Sequence, residues 1–428
     1  MKKQIFLSSL LAVLCLVSSL FAEAAKIEVD ADRESHTYAL SESANFTISV
    51  LDENGQPVKE GTVSVLFRND FLKELGRETL DLSKANPAVV SGKMEVPGFL
   101  SVTASCGKAN GSAGAAFEPE KIQPAAPMPA DFWDYWRGLQ KKLRAEVPAD
   151  LQLEKIDSLS DKKQTIYRIS MATFDQQRAY GFLAIPAGEG PFPVLVSVSW
   201  AGPGFGPETW LGKEGFVVLS MPIFPYPVGL TAEERQKQYD EFNEKLGIRY
   251  CYYGAPDRDR FFFRNAYLGI DRVIDYVLER PDTDSTRVGY YGTSQGGASA
   301  LILGGLNGKF THILGSVPAL CDHLGARMNR SAGWPKLCEN VKEPGMEAMV
   351  PYFDGENFAR EIHCPIRVTV GFIDTTCSPS SVYAAFNLIP AADKKILPET
   401  HLGHQTGKKH SEGMEWLKAS VRAESLKH

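Results

Sequence analysis

At 428 residues, 43% of them hydrophobic and 23% charged, the chain is long enough for about two or three domains and ordinary in make-up for a globular protein. Its net charge of −6, with lysines and arginines scattered or merely paired as in Lys141-Lys142 and Lys408-Lys409, excludes the basic stripe of a nucleic-acid binder.

Lys2 and Lys3 precede an apolar stretch from Ile5 to Phe21, broken only by small serines. Ala22-Glu23-Ala24 then supplies the small-x-small pattern that a signal peptidase accepts. Residues 1–24 are expected to be a cleaved signal peptide, which makes the mature protein secreted or periplasmic with no membrane contact. Leu14 stands before Cys15 where a lipid-anchor motif needs a small residue, so no lipid anchor is expected. No other segment reaches the length of a membrane span.

Residues 25–118 alternate apolar and polar side chains, as in Ala44-Asn45-Phe46-Thr47-Ile48-Ser49-Val50 and Thr62-Val63-Ser64-Val65-Leu66-Phe67. Turn signals at Asn54-Gly55, Glu60-Gly61, Ser91-Gly92 and Pro97-Gly98 separate the runs. Short strands at such spacing predict a small immunoglobulin-like β-sandwich. Its expected role is to space, dock or cap the domain that follows. Residues 119–128 carry Pro119, Pro124 and Pro127 and read as a stiff, extended linker. Residues 129–424 form the larger domain, opening on a helix with Asp131 as its expected N-cap and Phe132, Trp133, Tyr135 and Trp136 in its first turns.

From about Gln152 strands and helices alternate. Strands are predicted at 164–171, 179–186, 193–199, 215–220, 287–291, 311–317, 365–371 and 394–397, with helices near 265–280 and from Gln295. Runs such as Pro193-Val194-Leu195-Val196-Ser197-Val198-Ser199 are apolar on both faces, as buried parallel strands are. The expected class is α/β, with a mostly parallel sheet covered by helices.

The sharpest feature is Gly292-Thr293-Ser294-Gln295-Gly296 between a predicted strand and a helix rich in small residues. It fits G-x-S-x-G, the nucleophile elbow of α/β-hydrolases, in which glycines two residues to either side of the serine relieve a collision at a strained turn. A serine hydroxyl needs a base, and in this fold acid and histidine follow the serine in the chain. Asp374 ends the strand Val368-Thr369-Val370-Gly371-Phe372-Ile373 and is the expected acid. His401 and His404 both lie in the loop after Lys395-Ile396-Leu397. His404, between Gly403 and Gln405, is the preferred base, with His401 the alternative. The backbone N–H of Gln295 is the expected first oxyanion donor, and the loop Trp200-Ala201-Gly202 the source of the second.

No cofactor or metal is expected. The chain has no C-x-x-C pair, and His401, His404 and His410 with Glu399 match no ligand spacing. His36, His312 and His323 offer no constellation, and His363 reads as structural. Six cysteines remain after signal cleavage: Cys106, Cys251, Cys321, Cys338, Cys364 and Cys377. Free buried thiols and oxidised pairs are both open, Cys321–Cys338 being the pair to test first.

These residues resemble the acetyl xylan esterase and cephalosporin C deacetylase family over roughly residues 124–420. The segments that carry the likeness are 129–136, Phe263-Arg264-Asn265-Ala266-Tyr267-Leu268-Gly269, Gly292-Thr293-Ser294-Gln295-Gly296-Gly297, 317–321, 371–380 and Gly403-His404-Gln405. The resemblance implies removal of acetyl groups from acetylated carbohydrates, by a Ser294–His404–Asp374 triad and an acyl-enzyme. Where the family carries His-Gly-Tyr after the oxyanion strand, this chain has Ser199-Trp200-Ala201, so Ala201 would give the N–H without the tyrosine. Its Arg-Gly-Gln is replaced in the region 221–227, which bears on the acyl pocket. A homo-oligomer is compatible with the resemblance, but the added N-terminal module means the family's ring-shaped hexamer cannot be carried over.

Two other functions stay open on sequence. One is an oligopeptidase-like serine hydrolase, which also uses G-x-S-x-G-G, although the chain lacks a propeller-sized N-terminal region. The other is a carbohydrate-binding protein with an inactive hydrolase domain, against which the complete residue order Ser, Asp, His speaks.

Overall fold

The computed structural model describes residues 24–423. The expected signal peptide, apart from Ala24, and residue 424 lie outside the described residues.

The chain begins with two packed sheets. Strands β1 (Lys26–Ala31), β3 (Ala44–Leu51) and β6 (Ala88–Gly92) form one. Strands β2 (Thr37–Tyr38), β8 (Ala109–Phe117), β7 (Gly98–Cys106), β4 (Thr62–Asn69) and β5 (Lys73–Asp81) form the other, in that order. In β3 and β4 every second residue is buried, which is how one face of a pleated strand meets a core while the other meets water. Phe46, Ile48, Val63, Val65 and Val102 fill the space between the sheets.

The Pro-rich segment that follows is not a free spacer. Pro119–Lys121 form a short 3-10 turn and Ile122 is buried. The Asn387 amide donates to the carbonyls of Pro119 and Ile122, both at 2.9 Å, and the Ala125 N–H donates to Asp322 at 2.7 Å. The proline-interrupted backbone cannot pair in a sheet, so side chains of the larger domain satisfy it instead. The helix Phe132–Glu146 buries Phe132, Trp136, Gln140 and Leu143, one stripe at helical spacing. Asp131 precedes it but does not cap it, because its carboxylate is engaged by the Tyr352 hydroxyl and by Arg258.

The large domain is built on nine strands: β9 (Gln152–Lys155), β10 (Gln164–Ala172), β11 (Arg178–Pro186), β12 (Phe192–Val198), β13 (Val217–Met221), β14 (Thr283–Thr293), β15 (His312–Ser316), β16 (Ile366–Gly371) and β17 (Lys394–Glu399). Their order across the sheet is β17-β16-β15-β14-β12-β13-β11-β10-β9. The six from β17 to β13 are parallel, and β11, β10 and β9 are antiparallel. Strands β13 and β16 are buried along their whole length, the mark of a sheet covered on both faces. The helices Phe262–Leu278, Gln295–Asn307 and Pro379–Asn387 cover it together with Lys408–Arg422.

The two domains share packing. Phe99 of β7 stands edge-on to Phe372 at 5.0 Å between centroids and tilts over Tyr383 at 5.5 Å. Gly114 of β8 lies so close that a Cβ there would meet the Phe372 carbonyl at 2.3 Å. The sandwich therefore rests on the chain just beyond β16. The six cysteines among the described residues are all free thiols, so Cys321 and Cys338 are not paired.

Candidate active site

The C-terminal ends of parallel strands, where loops converge, are where this architecture places reacting groups. Strand β14 ends at Thr293, and Ser294 turns the chain into the helix Gln295–Asn307 with φ 59° and ψ −116°. That conformation costs a non-glycine residue about 1–3 kcal/mol and persists only where its surroundings enforce it. Here the Ser294 N–H donates to the Ser316 carbonyl at 2.8 Å, and the Ser294 carbonyl accepts from Ala298 and Ala319 at 2.8 and 3.0 Å. A Cβ on Gly292 would meet the Gly296 carbonyl at 2.4 Å, and one on Gly296 would meet the Val198 carbonyl at 2.2 Å. Both glycines are thus dictated by close backbone approach.

Asp374 lies in the turn after β16 and is fully buried. Its Oδ1 accepts from the backbone N–H groups of Thr376 and Cys377 at 2.8 and 2.9 Å. Its Oδ2 is 2.8 Å from Nδ1 of His404, whose Nε2 is 2.8 Å from Ser294 Oγ. The loop that carries His404 leaves β17 and crosses the end of β16. A side chain at Gly371 would strike the carbonyls of Leu402 and Gly403, each at 2.5 Å, and Ile373 donates to the Leu402 carbonyl at 3.2 Å. The histidine loop is thereby laid directly on the strand that delivers Asp374.

The structure separates the remaining histidines. His401 does not face Ser294; its Nδ1 is 3.9 Å from Asp30 Oδ1 of the sandwich, and its ring stands edge-on to His36. The sequence reading that set His36 apart from any constellation is corrected here: the pair lies nearly the whole chain apart and meets only through domain docking. His410 bonds Ser316 Oγ at 2.8 Å, and His363 is exposed. His323 is fully buried with neither ring nitrogen bonded, and burial pushes its pKa down to about 3.

Gln295 is buried, and its side chain does a second job. Its Nε2 donates to the Ser199 carbonyl at 3.2 Å while its Oε1 accepts from the Tyr250 hydroxyl at 2.6 Å. Ala201 lies two residues past Ser199, in the loop that leaves β12. Tyr250 was not singled out from sequence; within Tyr250-Cys251-Tyr252-Tyr253 nothing marks one aromatic as the partner of a distant glutamine. Trp200, beside Ala201, is half exposed and tilts against Phe205 at 5.5 Å. Cys377 is buried, and burial together with the neighbouring Asp374 charge pushes its thiol well above the usual range, so it is held neutral.

The fold defines an α/β-hydrolase, and the relatives place it among the carboxylic ester hydrolases. The chain belongs to the acetyl xylan esterase (AXE1) family, which it matches over residues 118–419. It is 31% identical over 362 residues to acetyl esterase Axe7A of Xylanibacter ruminicola, covering 82% of this chain and 81% of that one. The structure is similar to acetyl xylan esterase 1 of Thermoanaerobacterium sp. JW/SL YS485, with TM-score 0.60 and 20% identity, covering 72% of this chain and 98% of that one. It is also similar to the acetyl xylan esterase of Paenibacillus sp. R4, with TM-score 0.59 and 24% identity, covering 71% and 98% respectively. These two structural likenesses bear on the fold.

Proposed function

We propose that the protein is an exported esterase that removes acetyl groups from acetylated xylan or xylo-oligosaccharides through Ser294, His404 and Asp374. One observation carries the reading: the unbroken relay in which Ser294 Oγ, the His404 ring and the Asp374 carboxylate are joined at 2.8 Å and 2.8 Å. His404 Nε2 takes the serine proton as Oγ attacks the acetyl carbonyl. Asp374 holds Nδ1 protonated and stabilises the imidazolium that forms. The N–H of Gln295, at the start of its helix, receives the developing oxyanion, with the Ala201 N–H as the second donor. The sugar leaves with the proton from His404, and water, deprotonated by the same ring, releases acetate from Ser294. Export through the N-terminal signal places the enzyme in the periplasm or outside the cell, where acetylated polysaccharide would be met.

The test is a panel of acetylated xylo-oligosaccharides, longer acyl esters and a dipeptidyl amide, given to the mature chain and to Ser294→Ala. The expected result is acetate release from the oligosaccharides that disappears in the variant. Preference for the amide, or acetate release that survives in Ser294→Ala, would overturn the proposal.

A further inference from the structure

A second cluster of chemistry-bearing side chains spans the boundary between the domains. Asp30 is near the end of β1, His36 stands just before β2, and His401 lies in the loop after β17. Asp30 Oδ1 is 3.1 Å from His36 Nε2 and 3.9 Å from His401 Nδ1. One ligand atom from each residue can be chosen so that all lie within 4.8 Å of one another. Ligand atoms about 2.1 Å from a tetrahedral zinc stand about 3.4 Å apart, so the trio needs only small side-chain adjustments to close on an ion.

The hydrogen bonding of His36 points the same way. Its side chain is about 1% exposed, and its Nδ1 lies 2.9 Å from the Gly114 carbonyl, which can only accept. Nδ1 therefore carries a proton, and in the neutral ring Nε2 presents a lone pair. That lone pair faces a carboxylate oxygen, so two acceptors oppose each other across 3.1 Å. A positive charge between them, a proton or a metal ion, resolves the conflict, and the second imidazole of His401 beside the same carboxylate favours the metal. A ring held by Nδ1–H on a backbone carbonyl, with Nε2 free, is also how proteins orient a metal-binding histidine. The backbone at His36 is held as well, its carbonyl accepting from Ala116 at 2.8 Å.

We propose that Asp30, His36 and His401 bind a Zn²⁺ ion that fastens the sandwich to the loop bearing His404. Two imidazoles and one carboxylate suit zinc better than the all-oxygen sets of magnesium or calcium, and three protein ligands leave a position for water. The sequence reading expected no metal, because no local spacing announces a site assembled from both ends of the chain. His401 is three residues from His404, and the intervening Leu402 is bonded to Ile373. An ion on His401 therefore restrains the backbone that presents the proposed catalytic base.

The test uses the mature chain stripped with EDTA and titrated with Zn²⁺ by calorimetry, bound metal being counted by mass spectrometry. One ion per chain is expected, with a higher thermal midpoint when zinc is present. Asp30→Asn and His401→Ala change exposed side chains, so folding is preserved, and each should weaken binding by at least about 100-fold. Co²⁺ in place of zinc should give the intense visible absorption of a tetrahedral site, and His404→Ala should retain it. No binding, binding unchanged in His401→Ala, or binding lost in His404→Ala instead would each overturn the proposal. The first of these outcomes would leave a plain imidazolium–carboxylate pair.

Discussion

Replacing Asp374 by asparagine probes the proposed relay at nearly constant shape. The two oxygens of Asp374 have different partners: Oδ1 takes two backbone N–H groups at 2.8 and 2.9 Å, and Oδ2 faces His404 Nδ1 at 2.8 Å. An asparagine must place its carbonyl where the two N–H groups converge, because its NH₂ cannot accept. The NH₂ then points at His404 Nδ1 and can only donate. The ring is forced to keep its proton on Nε2, the atom facing Ser294 Oγ, and a protonated Nε2 cannot take the serine proton. In the serine-protease triad the corresponding change lowers turnover about 10,000-fold. That factor corresponds to about 5.5 kcal/mol of lost transition-state stabilisation.

For Asp374→Asn we expect kcat on 4-nitrophenyl acetate to fall by about 1,000- to 10,000-fold, with KM little changed. Because both backbone bonds survive, the thermal midpoint should stay close to that of the wild type. Steady-state kinetics paired with a melting curve separates loss of chemistry from loss of fold. A well-folded variant that kept more than about a tenth of the wild-type kcat would refute the tautomer argument.

Gly296→Ala should destabilise the protein by about 3 kcal/mol in a urea titration, since its Cβ would lie 2.2 Å from the Val198 carbonyl and backbone must shift to admit it. An unchanged midpoint would show that the approach is looser than described. Asp70, buried where the sandwich meets Ser331, has its pKa raised to about 7 chiefly by burial. The folded state thus holds a proton that the unfolded chain releases near 3.8, so this group's contribution is fully present below that value and is lost as pH climbs to about 7. The loss is on the order of 4 kcal/mol. Glu356, raised to about 8 by burial, acts in the same direction, so the informative quantity is the difference between Asp70→Asn and wild type. That difference in melting temperature should move in the variant's favour from pH 5 to pH 8, and a flat difference would contradict the assignment. Trp200→Ala should raise KM several-fold on acetylated xylo-oligosaccharides while leaving kcat/KM on 4-nitrophenyl acetate near wild type, because an exposed ring beside the proposed oxyanion loop can stack on a sugar but not on acetate. Equal losses on both substrates would place the effect on the loop itself.

Much of the fold was legible because its signals are local. Strands buried on both faces read as unbroken apolar runs, and the half-buried strands of the sandwich read as alternation. The turn at Ser294 was legible too, since its two flanking glycines are required by backbone contacts of 2.4 and 2.2 Å that any such turn produces. What failed was whatever depended on a partner far along the chain. Asp131 has the right residue type for an N-cap, but Tyr352 and Arg258 compete for its carboxylate. The preference for His404 over His401 agrees with the geometry, but its cause, the passage of Leu402 and Gly403 across the bare Gly371 at the strand end, carries no local signal. The link from Tyr250 through Gln295 to Ser199 joins three segments that carry no shared pattern. His36 and His401 are brought together only by the docking of one domain on the other.

That docking bears on the proposed chemistry. The chain from Gly371 to Ser378 carries Asp374 and is gripped from two sides. On one side the histidine loop lies on Gly371. On the other, Gly114 and Phe99 of the sandwich press on Phe372, and Asp70 packs near Ser378 while accepting from Ser331. The two acetyl xylan esterase structures are covered almost whole by about 72% of this chain, so more than a quarter of it lies beyond what they share. An appendage that merely spaced the enzyme from its surroundings would have no reason to bring backbone so close that only glycine fits. Its strand β8 instead serves as a wall behind the turn that carries Asp374. The sandwich is therefore better understood as part of the frame that orients Asp374 than as a detachable module, because any tilt between the domains must first move Phe372, two residues from that carboxylate.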